Sequence, residues 1–218
     1  MSSLQEERSA ETRRRLLDAT VACLFERGYA GTTTTEIASR AGVSRGAQSH
    51  HFPNKDELVV SALEHLFELR LTGMRAAALA PPSGSREHRM SVLIDRIWPM
   101  FKGPTFYAWL ELVVAGRTDP ALDDAVRAAI LRFMERLRAC LGALLNWPAD
   151  REDKLHDLVG LVIRQLEALA LERTLFAPGE TDPPELVRAL ERLKRVSAAL
   201  VRELDSSAPI EKPKVNRQ

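Results

Sequence analysis

The sequence predicts an all-α protein, with a three-helix head at the amino end and a larger helical body behind it. Two patterns carry this. Apolar residues recur at three- and four-residue steps, from Leu17, Val21 and Leu24 through to Leu193, Val196 and Leu200, the spacing of helices that bury one face. Between these runs stand breaks rich in glycine and proline, at Gly28, Gly42, Pro53 and residues 80–85, 99–104, 146–148 and 178–184.

Composition narrows the class. With 218 residues, 45% of them hydrophobic, the chain can bury one sizeable core or a small domain beside a larger one. A formal net charge of +1 is no polyanion-binding signature, so a nucleic-acid surface has to be local. Arg13, Arg14, Arg15, Arg40, Arg45 and Lys55 supply such a patch near the amino end. Cys23 and Cys140 each sit in an apolar run and read as buried thiols, not as a disulfide framework. No apolar run reaches membrane-spanning length and residues 1–12 are polar rather than signal-like, so a soluble cytoplasmic protein without a membrane partner is expected.

The head is built from short, well-punctuated helices. Residues up to about Ser9 are polar and expected to fray; a first helix then runs from 10 to 27, with Leu17, Val21, Leu24 and Phe25 on its apolar face and Gly28 at its carboxyl cap. Thr33 and Glu36 have capping-box spacing, so a second helix begins near Thr33 and presents Ile37, Ala38 and Ala41. Gly42 can take the left-handed conformation that reverses the chain, and Val43 plugs the corner. Ser44 caps a third helix from Arg45 to about His51, which Pro53 stops. Two helices joined in this way form either an ordinary αα-corner or a helix-turn-helix whose second member can enter a DNA major groove.

Further residues favour the second. Leu24-Phe25-Glu26-Arg27-Gly28-Tyr29, Thr33-Thr34, Ile37-Ala38, Ala41-Gly42-Val43-Ser44, Gly46, Phe52-Pro53 and Lys55 through Leu58 resemble, in order and spacing, the DNA-binding domain of the TetR family of bacterial transcriptional regulators. The pattern departs at Ser49 and His51, where the family commonly carries an aromatic and a tyrosine, and His50 or His51 becomes the substitute for a tyrosine-to-phosphate contact. Chemistry nominates Arg45 for guanine O6/N7 and Gln48 for adenine N6/N7. Thr33, Ser44, His50 and Lys55 are the expected phosphate contacts, Lys55 adding its charge at a helix N-terminus already suited to anions.

Behind the head, Asn54 and Glu57 cap a long helix from Lys55 to about residue 79. Helical runs follow over 90–97, 105–116, 121–145, 151–176 and 184–204. The resemblance implies that the body binds a small-molecule effector. Trp98, Phe101, Phe106, Tyr107 and Trp109 crowd a segment broken by prolines, so an apolar or aromatic effector is expected, with Tyr107 or Glu111 as polar anchor. Core packing is the plainer reading of each aromatic taken singly. The resemblance also implies that the last two helices of two chains form a four-helix dimer contact, with Leu158, Val162, Leu166, Leu190, Leu193 and Leu200 in the interface.

No catalytic, metal or cofactor constellation emerges. The five histidines lack ligand spacing, and neither a phosphate-binding glycine loop nor a nucleophile elbow is present. The sequence is thus read as a DNA-binding head over residues 1–58, a ligand-binding and dimerising body over 59–205 and a disordered tail over 206–218. It is expected to be a homodimeric repressor of a palindromic operator. The alternative is a helical ligand-binding protein or enzyme with no DNA role.

Overall fold

Each expected apolar run becomes a helix in the computed structural model, which describes residues 2–78, 83–176 and 181–206. In chain order these are α1 (Ser2–Gly31), α2 (Thr34–Ala41), α3 (Arg45–His51), α4 (Lys55–Ala78), α5 (Arg86–Ile97), α6 (Pro104–Gly116), α7 (Pro120–Leu145), α8 (Glu152–Arg173) and α9 (Pro184–Ser206). Short 3₁₀ turns at Trp98–Phe101 and Ala149–Arg151 precede α6 and α8. The expected boundaries hold to within a few residues, with one exception. The opening residues, expected to fray, belong to α1 from Ser2 onward. The Thr12 hydroxyl donates to the Arg8 carbonyl at 2.9 Å, and ion pairs from Arg14 to Glu11 and Asp18, one turn away on either side, favour the helix that this stretch extends. Parts of the expected 80–85 and 178–184 connections, and the expected tail beyond Ser206, lie outside the described residues. No described helix is long and apolar enough to cross a membrane.

The chain packs into two compact units, Met1–Arg75 with Pro99–Leu137, and Ala76–Trp98 with Arg138–Gln218. The head does not stand alone: packing groups it with α6, most of α4 and the first part of α7. Within this unit Leu16, Leu17, Cys23, Ile37, Ala41, Phe52, Leu58 and Ala62 form a core under the helix-turn-helix. Leu24, Val59, Leu63, Leu66, Phe67, Leu112 and Val126 form a second cluster, and Val21 packs against both. Burying each such leucine contributes about 1.5–3 kcal/mol, so two clusters sharing one helix fix its orientation firmly. Phe25, expected on the buried face, is instead 38% exposed, its ring 5.5 Å from that of Tyr107.

In the second unit α9 packs against α5 and α8. Arg86 ties this unit together: its guanidinium donates to the Leu145 and Asn146 carbonyls that end α7 and pairs with Asp205 near the end of α9. Asn146 has a φ of 50°, which an asparagine tolerates, and so turns the chain ahead of Pro148. The buried Arg173 pairs with Asp182 at 3.2 Å, and Asp182 also accepts the Trp98 indole N–H at 2.8 Å. This joins the end of α8 to the segment before α9.

Candidate nucleic-acid interface

The corner between α2 and α3 is built as the residues dictate. Thr33 Oγ1 accepts the Glu36 amide at 3.2 Å and starts α2; Ser44 Oγ accepts the Ala47 amide at 3.1 Å and starts α3. Gly42 adopts φ 63°, ψ 40°, and the Val43 amide donates to the Ala38 carbonyl at 3.0 Å. A side chain at Gly42 would be strained in this conformation, and its Cβ would meet the Arg15 guanidinium at 2.6 Å. Arg15 uses that position to donate to the Gly42 carbonyl at 3.1 Å, so α1 clasps the turn directly.

What α3 offers to its surroundings is narrow. Arg45, Gly46, Ser49 and His50 are exposed, and Arg45 opens the helix at the end where a groove-reading helix meets base edges. The Thr33 and Ser44 oxygens each accept a backbone amide, which leaves their O–H protons available to a phosphate. Ser49 donates its hydroxyl to the Arg45 carbonyl at 2.9 Å.

Two expected contacts are corrected. Gln48 is only 5% exposed, and its amide donates to the Phe52 carbonyl at 2.8 Å. Withdrawing it would orphan that carbonyl, so Gln48 closes the end of α3 and is no base reader in this arrangement. Lys55 is turned away from solvent: its ammonium donates to the Tyr29 carbonyl at 2.6 Å and lies 3.8 Å from the centre of the Tyr29 ring. Burial holds its pKa below the usual lysine value. It braces the start of α4, whose first turn is also capped by Asn54 Oδ1 on the Glu57 amide at 2.8 Å.

The expected basic patch is partly spent on structure. Arg14 is paired with acids, Arg40 pairs with Glu26 at 2.5 Å, and Arg13 lies 5.0 Å over the Phe52 ring. His51 is half-buried beside His50, with their rings edge-on at 5.6 Å. Burial first, then the charges of His50 and Arg13, push its pKa below the ordinary histidine value. His51 therefore meets its surroundings neutral, whereas His50 is exposed.

Comparison with known proteins decides what this corner belongs to. Residues 16–62 match the family model of bacterial regulatory proteins, tetR family. The HTH-type transcriptional regulator CymR of Pseudomonas putida is 36% identical over 172 residues, covering 77% of this chain and 81% of that protein. The chain belongs to the tetR family of bacterial regulatory proteins. It is a DNA-binding transcriptional regulator and not an enzyme. Two solved structures share the tetR fold. One, of a transcriptional regulator from Pseudomonas aeruginosa PAO1, is 24% identical with a TM-score of 0.63, covering 94% of this chain and 93% of its own. The other, of a TetR-family regulator from Mesorhizobium loti, is 20% identical with a TM-score of 0.66, covering 90% of this chain and 96% of its own.

The expected effector site of this tetR-family chain is not assembled as foreseen. Phe106 is fully buried, with its ring 5.4 Å from Trp109, 5.9 Å from Tyr107 and 6.1 Å from Phe101. These four rings pack on one another as core, while Trp98 belongs to the other compact unit. Glu111, expected as a polar anchor, is engaged within the protein: its carboxylate accepts the Tyr29 amide at 3.0 Å.

The dimer residues need correction in the same way. Leu158, Val162, Leu166 and Leu193 are buried within the single chain, at 3%, 4%, 0% and 7% exposure. They hold α8 and α9 to their own unit, and only Leu190 and Leu200 remain half-exposed. The exposed large apolar side chains here are Leu161 and Leu171 on α8, Leu175 and Phe176 just past it, and Val187 and Val196 on α9. Sequence periodicity marks a buried stripe without saying whether a neighbour or a second chain covers it. The width of the apolar arc was the available signal, since Leu161, Ala168 and Leu171 form a second stripe on α8.

Proposed function

We propose that this regulator is a homodimeric repressor that holds a palindromic operator and releases it when a small apolar molecule enters the body. The observation that supports this most is α3 itself: a capped helix on a fixed turn that presents Arg45, Ser49 and His50 outward. Arg45 is assigned to guanine O6/N7, and His50 with the Thr33 and Ser44 hydroxyls to phosphates. Lys55 acts through the α4 N-terminus that it braces. The functional division assigns residues 1–58 to reading DNA and 59–205 to effector binding and pairing.

Pairing is assigned on general grounds, because one short helix binds weakly and two-fold symmetry matches a palindrome. The face assigned to it carries Leu161, Ala168 and Leu171 on α8 and Val196 on α9, which the single chain leaves exposed. The two recognition helices would then sit roughly 34–36 Å apart, one turn of duplex.

The effector is assigned to a void in the second unit, lined by Met90, Leu93, Ile94 and Ile97 of α5, Leu141 of α7 and Val159, Val162 and Ile163 of α8. Its free volume is about 10 Å³, at the lower limit of room for one water. An occupant must part the walls, and Met90 is the side chain best able to re-pack. With no polar group in the lining, the effector is apolar. A conformation that admits it and fits DNA less well gives release by population shift.

Fluorescence anisotropy on DNA upstream of the chain's own gene tests this reading. Saturable binding that weakens with salt and reverses with an apolar ligand is expected. Binding to no fragment, specific or otherwise, would overturn it.

A further inference from the structure

The end of α1 is held by a knot of hydrogen bonds that the DNA-reading residues do not explain. At Gly28 the backbone leaves the helix, with φ 67° and ψ 176°, and one further turn follows to Gly31. A break of this kind frees an amide, as at any helix start. The amide is that of Tyr29, and Glu111 Oε2 of α6 accepts it at 3.0 Å. A Cβ on Gly28 would lie 2.8 Å from the same oxygen, so the glycine is required both for the turn and for the approach of the carboxylate.

Tyr29 then reaches in the other direction. Its carbonyl accepts the Lys55 ammonium at 2.6 Å, its ring lies under that ammonium and its hydroxyl donates to Asp56 Oδ1 at 2.8 Å. Burial, followed by the bond to Asp56, raises the phenol pKa to about 12, so it stays a donor at any physiological pH. Lys55 and Asp56 are the first two residues of α4, and only three residues separate Lys55 from the end of α3. One residue thus joins α6 on one side to the α3–α4 junction on the other, all within one compact unit.

We propose that Glu111 is the positioning residue through which α6 sets the stance of the DNA-reading helix, its carboxylate acting as the latch on the α1 break. The inference rests on the DNA-reading role proposed above. It assigns the regulation of that role to α6 through Tyr29, in addition to any lever action of α4. While the latch is closed, the α1 end, the start of α4 and α3 move as one piece. A shift of α6 that withdraws the carboxylate frees Tyr29 and lets the junction move.

The test compares the full chain with Glu111→Ala, Glu111→Gln and Tyr29→Phe by anisotropy on the operator fragment, and by amide hydrogen exchange. Glu111→Gln keeps an oxygen for the Tyr29 amide and should bind within about twofold of wild type. Glu111→Ala should bind about tenfold more weakly, a loss of about 1.4 kcal/mol, and should exchange the amides of residues 29–31 and 55–58 faster. Tyr29→Phe loses only the Asp56 bond and should fall between them. A purely supporting role would lower the melting temperature of Glu111→Ala and leave the affinity of the folded protein at the wild-type value, and that result would overturn the proposal. Loss of binding by wild type and variants alike would instead sink the DNA-reading role.

Discussion

His51 shows how one residue of the recognition helix can read differently in sequence and in structure. By sequence it is a substitute for a missing tyrosine contact; by geometry it is half-buried beside His50. Its depressed pKa gives a definite pH dependence. The unfolded chain takes up the proton near the ordinary value of 6.5, before the native state does, so stability rises with pH wherever the unfolded state binds more protons. His51 therefore costs nothing above about pH 6.5 and destabilises the head progressively below it. Melting curves from pH 7.5 to 5 should show this loss, and His51→Gln should flatten it; identical slopes in both proteins would exclude His51 as the source. Arg45 and Gln48 illustrate the limits of reading side by side. Both are long polar residues on a seven-residue helix, and residue type nominates each for a base. Only the turn angle of α3 puts Arg45 outside and leaves Gln48 to satisfy the Phe52 carbonyl.

Elements were the most legible level. Capping residues have local physical causes, and Thr33, Gly42, Ser44 and Asn54 all act where their spacing predicts. Periodicity was equally reliable for finding helices, and less so for naming what each stripe touches. On α8 the strongest stripe lies inside the monomer, and the weaker one containing Leu161, Ala168 and Leu171 is left open. This separates two substitutions by outcome. Leu166→Ala, at a site with no exposure, should cost about 2–5 kcal/mol of stability. Leu161→Glu combined with Leu171→Glu should leave the circular dichroism unchanged and convert a dimer to monomer in light scattering. If the double variant stays dimeric, pairing uses another face.

At the scale of the whole molecule, sequence gave the fold class and the amino-terminal motif, because both follow from local signals. The grouping of α6 with the head did not, because a bond such as Glu111 to Tyr29 spans 82 positions and leaves no periodic trace. An effector site is hard to read from sequence for a related reason. Aromatic density in 98–109 marks a packed core as readily as a cavity, and the void in the second unit is bounded by aliphatic residues whose pattern is that of any buried helix. Within the first compact unit one use of packing stands out: two apolar clusters share α1, and the one under the helix-turn-helix backs the turn that carries α3, the helix proposed to read DNA.

Operator binding by wild type and Arg45→Ala, measured across a salt series on the upstream fragment and on a scrambled duplex, tests that use most directly. Removing a base-reading arginine should cost about 1–3 kcal/mol on the operator, little on the scrambled duplex, and leave the salt slope of the operator close to wild type. Equal affinity of the two proteins for both duplexes would contradict an α3 that reads bases.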